Sequence, residues 1–195
     1  MKSLAIIFIL ISSMFSGCIS QEQIVVEEPI ISSPERISFS APLMSMNSNN
    51  SEIVLQEYVS DGPVLLIWVA AGCMGCHSWT DLIADEIINE NISNSSVLSI
   101  HRYPSFESVS YVEEVYGTHE NATNPVSWPL ILPPEDTIVI DLDTGLESDI
   151  SLYDSFGYPS TPTLQIMDTS GKIIWSSKTY WPSASVLDEI KNLIN

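Results

Sequence analysis

Basic residues are scarce in this chain: six lysines and arginines stand against 25 aspartates and glutamates, for a formal net charge of −19 over 195 residues. Beyond Cys18 the balance is five bases against the same 25 acids, a net charge of −20. A surface of that sign repels nucleic-acid phosphates and has no basic patch to offset the repulsion, so a nucleic-acid-binding protein is excluded. The acidity instead suits a salty exterior, a basic partner or simple solubility. Cysteine is equally sparse, and three residues are too few for a disulfide-stapled scaffold. Long apolar runs are missing from the N-terminal region: its stretch Leu4 to Ile11 is too short to cross a bilayer comfortably, which takes about 20 residues. No internal repeat is apparent.

What the N-terminus does have is the grammar of export. Lys2 supplies a minimal positive charge, Leu4 to Ile11 an apolar segment and Ser12 to Gly17 mostly small residues, which together read as a secretory signal over residues 1–18. It ends in Phe15-Ser16-Gly17-Cys18, which resembles a lipobox with Phe15 in place of the usual Leu, so Cys18 is expected to be lipidated and to become N-terminal. Residues 19–36 are polar and acidic, carry Pro29 and Pro34 and show no sustained periodicity; they read as a flexible tether. The remainder, 37–195, has the length and the hydrophobic content (45% over the chain) for one globular domain with its own core. With Cys18 consumed by lipid, that domain keeps Cys73 and Cys76. A pair separated by two residues staples almost nothing, so redox chemistry or metal binding explains it better than structure does.

The pattern along the domain alternates strand and helix. Ile37 to Ser40 alternates like an edge strand, and Ile53 and Leu55 mark a short strand or helical turn. After the Asp61-Gly62 turn, Val64 to Val69 is a continuous apolar run of the kind a central strand needs when both its faces are buried. Trp79, Leu82, Ile83 and Ile87 recur at helical spacing behind the cysteines. Val97 to Ile100 predicts the next buried strand, and Phe106, Val109, Val112, Val115 and Tyr116 a second helix stopped near Gly117. Trp128 to Leu132 and Thr137 to Leu142 are strand candidates, and Leu152 to Phe156 one or two helical turns. Thr163 to Met167 and Lys172 to Ser176 flank the hairpin signal Ser170-Gly171. Val186, Leu187, Ile190, Leu193 and Ile194 define a closing amphipathic helix capped by Ser183 or Ser185. This order predicts an α/β fold, a central mixed sheet with helices on both faces.

Cys73-Met74-Gly75-Cys76 lies where the buried strand gives way to a helix. Two thiols at this spacing can close a small disulfide and reopen it, and unpaired N–H groups and the positive dipole end of a helix start favour the thiolate that attacks disulfides.

This strand, its Cys-x-x-Cys at a helix start and the later Thr161-Pro162-Thr163 leading into a hairpin resemble the thioredoxin fold. The lead-in from Glu52 through Asp61-Gly62-Pro63 to Cys73 is similar to the membrane-tethered TlpA/ResA-like branch, allied to the peroxiredoxins (AhpC/TSA). The resemblance covers residues 37–195 and implies an insertion between the central strands, in keeping with the 85 residues that separate Cys76 from Pro162. It further implies a thiol–disulfide oxidoreductase with no cofactor. Cys73 would be the attacking thiolate and Cys76 the resolving thiol of a Cys73–Cys76 disulfide; Thr161 and a cis Pro162 would bind an extended substrate segment. Partners would be exported protein thiols or disulfides and a membrane electron donor or acceptor, at the extracytoplasmic face of the cell membrane. Two positions depart from the pattern: Gly72 stands where Trp usually precedes the first cysteine, and Ile67 replaces the buried acid of minimal thioredoxins.

Four other readings bear on these residues. Cys73-Met74-Gly75-Cys76-His77 satisfies the attachment signature of c-type haem with His77 as axial ligand, although haem c is usually wrapped by helices. A thioredoxin-like module whose disulfide is structural would bind without catalysis. Zinc on Cys73, Cys76, His101 and His119 lacks a spaced second pair, so no metal is expected, and His101 reads as a turn residue after the strand. A peroxidase would need an isolated cysteine with a supporting Arg, and Arg102 lies in no such motif. Among the five tryptophans, Trp181 and its fellows supply core, rim or groove. Sequons at Asn49, Asn91, Asn94 and Asn121 permit glycosylation.

Overall fold

The computed structural model describes residues 33–44 and 51–195; the expected signal segment, Cys18, most of the expected tether and Asn49 lie outside them. In chain order the strands are β1 (Ile37–Ser38), β2 (Ser40–Pro42), β3 (Glu52–Val54), β4 (Val64–Val69), β5 (Val97–His101), β6 (Leu130–Ile131), β7 (Ile140–Asp141), β8 (Leu146–Glu147), β9 (Thr163–Met167) and β10 (Ile173–Ser177). The helices are α1 (Leu55–Tyr58), α2 (Met74–Ile88), α3 (Val109–Tyr116), α4 (Leu152–Ser155) and α5 (Ala184–Ile194).

A five-stranded mixed sheet runs in the order β10-β9-β4-β5-β6. β4 pairs parallel with β5 and antiparallel with β9, so the apolar run stands at the centre of the sheet. Strand alternation sends its residues to two separate cores. Leu65, Ile67 and Val69 join Trp79 and Ile83 of α2, Val112 and Tyr116 of α3 and Leu187, Ile190 and Ile194 of α5. Val64, Leu66 and Trp68 face the other way, onto Ile37, Phe39, Leu55, Leu152 and Phe156. Trp68 stands edge-on to Phe156, ring centres 5.2 Å apart, and its indole N–H donates to Gln165 at 2.8 Å. The three longer helices therefore cover one face, and the N-terminal strands with single-turn α1 and α4 cover the other.

Between β5 and β9 the chain carries α3, β6, the β7–β8 hairpin and α4. The hairpin completes a small sheet with β1. Gly145 lies in its turn at φ +71°, where a glycine is favoured.

Several local expectations need correction. The second helix begins only at Val109, because the Ser108 hydroxyl caps it by accepting the Tyr111 N–H; Phe106 stays in the preceding turn, 86% exposed. The strand expected over Thr137 to Leu142 shrinks to Ile140–Asp141. His101 is not a turn residue: it is the last residue of β5 and is buried. Ser183, not Ser185, caps α5, accepting the Val186 N–H.

Candidate active site

β4 ends at Val69, and four residues later Cys73 serves as the N-cap of α2. Its extended backbone sets the sulfur over the first turn, where it accepts the Cys76 N–H at 3.1 Å. Cys73 and Cys76 are joined in a disulfide, their Cα atoms 5.2 Å apart. Cys73 is 8% exposed and Cys76 fully buried, its sulfur 3.9 Å from the Trp68 carbonyl oxygen. A reagent arriving from solvent meets Cys73 first, and the open N–H groups of the helix start lie beneath it.

Side chains from elsewhere in the fold hold the three residues leading to Cys73. The Tyr116 hydroxyl donates to the Ala70 carbonyl at 2.9 Å. His77 Nε2 lies 2.8 Å from the Ala71 carbonyl oxygen, its ring edge-on to Tyr116. Glu107 accepts the Ala71 and Gly72 N–H groups at 2.8 and 3.0 Å. Behind it, His101 Nε2 stands 3.0 Å from the same carboxylate.

Burial holds the His101 imidazole below its ordinary pKa even though Glu107 works in the other direction, so the ring is neutral at neutral pH and its Nε2–H donates to the carboxylate. Partial burial opposes the Glu107 charge, but the N–H groups of Gly72 and Ala71, together with His101, outweigh it and keep the carboxyl below the usual range. An ionised carboxylate therefore borders the disulfide. Burial, joined by the nearby Glu107 and Asp81, pushes the Tyr116 hydroxyl far up, so it remains a donor.

The opposite side of the disulfide is set by Gly75. A Cβ there would stand 2.5 Å from the Tyr180 carbonyl oxygen and 3.0 Å from its ring. Glycine lets the segment around Tyr180 lie directly against the helix start, and the Trp79 indole N–H anchors that segment by donating to the Thr179 carbonyl at 2.8 Å. Tyr180 and Trp181 pack edge-to-face at 4.9 Å, and both remain exposed.

The Thr161–Pro162 bond is cis. Thr161 shares a shallow cleft of about 300 Å³ with Cys73, Tyr103, Glu107 and Tyr180. Arg102 ties the approach to this bond down: its Nε donates to the Pro159 carbonyl at 2.8 Å while the guanidinium lies 3.8 Å over the Tyr153 ring. A cavity of about 390 Å³ beside Asn94, Tyr116 and Trp128 is larger, but Tyr116 is its one titratable lining residue and neither cysteine borders it.

Two of the competing ligand readings meet this geometry directly. Covalent haem c needs both sulfurs within reach of one macrocycle, whereas Cys76 is sealed under the sheet end and His77 Nε2 is engaged by Ala71. The residues do not fit that group. For zinc, His101 is bound to Glu107 and His119 Nε2 lies 2.9 Å from the Glu113 carbonyl, and among the described residues no three of His, Cys, Asp and Glu converge. Of the groups singled out in the sequence, Cys73 and Thr161 come together in the cleft, Cys76 and Pro162 lie buried, and Asn91, Asn94 and Asn121 are exposed away from it.

Glu107 and Tyr180 escaped sequence reasoning. One acid among 25 carries no signal, and Tyr180 belongs to a segment about a hundred residues from the helix it covers. Gly75 was a usable clue, since glycine in a helix's first turn marks a close backbone approach.

The sheet order, the cysteine pair opening α2 and the cis-proline ahead of β9 define a thioredoxin-like α/β fold. No protein-family model matches the chain, and no curated protein matches it in sequence. Solved structures do. The thioredoxin domain of a thiol-disulfide oxidoreductase from Bacteroides vulgatus superposes with a TM-score of 0.56 at 13% identity, covering 84% of this chain and 96% of that one. The pneumococcal exposed lipoprotein thioredoxin from Streptococcus pneumoniae gives 0.52 at 18% identity, covering 80% and 99%. A thiol:disulfide interchange protein from a Bacteroides species gives 0.50 at 14% identity, covering 85% and 91%. At these identities the likeness concerns the fold.

Proposed function

We propose that this protein is an extracytoplasmic, membrane-tethered thiol–disulfide oxidoreductase acting through Cys73 and Cys76. The observation that carries the reading is the placement of the disulfide: Cys73, slightly exposed on a helix N-terminus, lines a cleft shared with Thr161, and Cys76 lies fully buried behind it.

In the reducing direction the Cys73 thiolate attacks one sulfur of a substrate disulfide. A mixed disulfide forms and the other substrate sulfur leaves as a thiolate, which takes a proton. Cys76 then loses its proton and attacks the Cys73 sulfur, releasing the second substrate thiol and closing the internal disulfide. Two electrons pass from the pair to the substrate, and oxidation runs through the same steps in reverse. The backbone of Thr161 pairs with the extended substrate segment, and Pro162 gives that edge its shape. The pattern of Lys2, Leu4 to Ile11 and Cys18 supports export and lipid anchoring with residues 19–36 as tether, and one similar structure is itself described as an exposed lipoprotein. Partners on this reading are exported protein thiols or disulfides and a membrane electron donor or acceptor.

Cys73→Ser is expected to abolish exchange with a model disulfide, and Cys76→Ser to accumulate mixed disulfides visible on non-reducing gels. Full exchange by Cys73→Ser would sink the mechanism. Wild-type protein that never exchanges would point to a binding module, and a Soret band with covalent pigment to the haem reading. Inhibiting lipoprotein signal processing should accumulate precursor if Cys18 is the anchor.

A further inference from the structure

We propose that Glu107 is a positioning residue that sets the acidity of the Cys73 thiol and thereby makes the cysteine pair a stronger reductant. The proposal rests on the redox reading above and adds to it a determinant of electron-flow direction.

Cys73 stands between two opposed influences. The Cys76 N–H at 3.1 Å and the remaining open amides of α2 stabilise a thiolate at the helix start. Glu107 opposes them. It comes from the loop between β5 and α3, lines the same cleft as Cys73 and is the one carboxylate among the residues that do. Its two oxygens occupy the amides of Ala71 and Gly72, directly before the cysteine. His101 holds the carboxylate from behind as a hydrogen-bond donor, which fixes its position without cancelling its charge.

The other polar groups near the cleft are engaged elsewhere or are neutral. Arg102 keeps its charge but is not among the residues lining the cleft: it is bound to the Pro159 carbonyl and lies over the Tyr153 and Tyr103 rings, while His77 is held by the Ala71 carbonyl and Tyr103 and Tyr180 are phenols. The negative charge of Glu107 is thus left to act on the developing thiolate. Ile67 occupies the buried position where minimal thioredoxins keep an acid, so Glu107, on the rim, is a carboxylate of a different kind: it biases the cleft-lining sulfur of Cys73 instead of serving the fully buried one.

The redox consequence follows from the half-reaction. Reducing the disulfide adds two electrons and leaves a thiolate on Cys73 with a thiol on Cys76. Whatever destabilises that thiolate favours the disulfide and lowers the reduction potential.

Glu107→Gln keeps the side chain's size and an amide-accepting oxygen while removing the charge. Glu107→Asp keeps the charge but draws it back by one methylene. Full-length protein and both variants are reduced with a phosphine, checked for folding by circular dichroism, and alkylated with iodoacetamide across pH, with Cys73 followed by mass spectrometry. A second arm equilibrates each with glutathione. In Glu107→Gln the alkylation midpoint should fall by about one pH unit, so that labelling below the wild-type midpoint is about tenfold faster. The equilibrium with glutathione should shift about tenfold toward the reduced pair, corresponding to about 30 mV. Glu107→Asp should fall between, and it decides the matter if Glu107→Gln does not fold. Unchanged midpoints and equilibria in the folded variants overturn the proposal. Wild-type protein that never equilibrates with glutathione defeats the redox reading instead, and the alkylation arm still decides the role of Glu107.

Discussion

β4 enters the sheet through Val59–Pro63 and leaves it through Ala70–Gly72, and the two turns are held in opposite ways. At the entrance the bonds are local: Ser60 N–H reaches Glu57 at 3.2 Å and Gly62 N–H reaches Val59 at 3.4 Å. Gly62 has open space around the position of a Cβ. At the exit, Tyr116, His77 and Glu107 arrive from other elements to bind the Ala70–Gly72 backbone, and Gly75 just beyond is pressed against Tyr180. The entrance needs only to reverse the chain. The exit must hold Cys73 at the cleft and Cys76 behind it, so its backbone groups are tied by side chains that cannot drift independently. Local bonds suffice for the first turn; the second adds tertiary side chains to its own local bond, Cys73 N–H to the Ala70 carbonyl at 3.2 Å.

The largest expected effect tests that contrast with matched substitutions. Gly75→Ala drives a methyl into the Tyr180 carbonyl and should cost about 1–3 kcal/mol by overpacking, more than the helix-propensity gain of at most about 1 kcal/mol returns. Gly62→Ala should stay within about 0.5 kcal/mol of wild type. Chemical denaturation of the oxidised proteins measures both, and equal costs at the two glycines would erase the distinction.

The same contrast explains what the sequence made legible. The apolar run Val64–Val69 announced a central strand because every residue of it is buried, and Asp61-Gly62 announced its turn because local propensity suffices there. Cys73 and Cys76 were readable because their spacing and their place at a helix start are both local. The cleft's remaining walls were not. Glu107 reaches Gly72 across 35 positions, and Trp79 reaches Thr179 across 100. His101 was misplaced for a related reason: a polar residue after four apolar-patterned ones reads as leaving the strand, but the Glu107 carboxylate satisfies it within the interior. Periodicity reports which face is buried and is silent about which polar group has found a partner there.

A smaller effect belongs to the anchor of the Tyr180 segment. Trp79→Phe keeps the ring in the core but removes the indole donor, leaving the Thr179 carbonyl without it. A loss of about 1 kcal/mol is expected, read as a lower urea midpoint at unchanged slope. The variant should also alkylate faster at reduced Cys73, since the segment beside it is released. A stability loss with no change in Cys73 labelling would mean that the segment does not shield the sulfur.

The smallest expected effect is a pH dependence confined to the exit turn. His101 has its folded pKa lowered from 6.5 by burial, so its contribution is fully present above the unfolded value and is lost as pH falls through the folded one. Glu107, lowered from 4.5, acts with the same sign further into acid. On α1, just before the entrance turn, Tyr58 donates its hydroxyl to the Val97 carbonyl, and burial pushes its pKa up to about 12. Its contribution is therefore present below about 10 and lost on the alkaline side as pH climbs through the folded value. Between about pH 7.5 and 5.5 the entrance should not respond, while stability falls because the unfolded chain takes up a proton on His101 that the buried folded site resists. His101→Gln, which still offers Glu107 an N–H, should flatten the stability slope over that interval by up to one proton's worth. An identical slope in wild type and variant would show that acid does not reach the exit turn through His101.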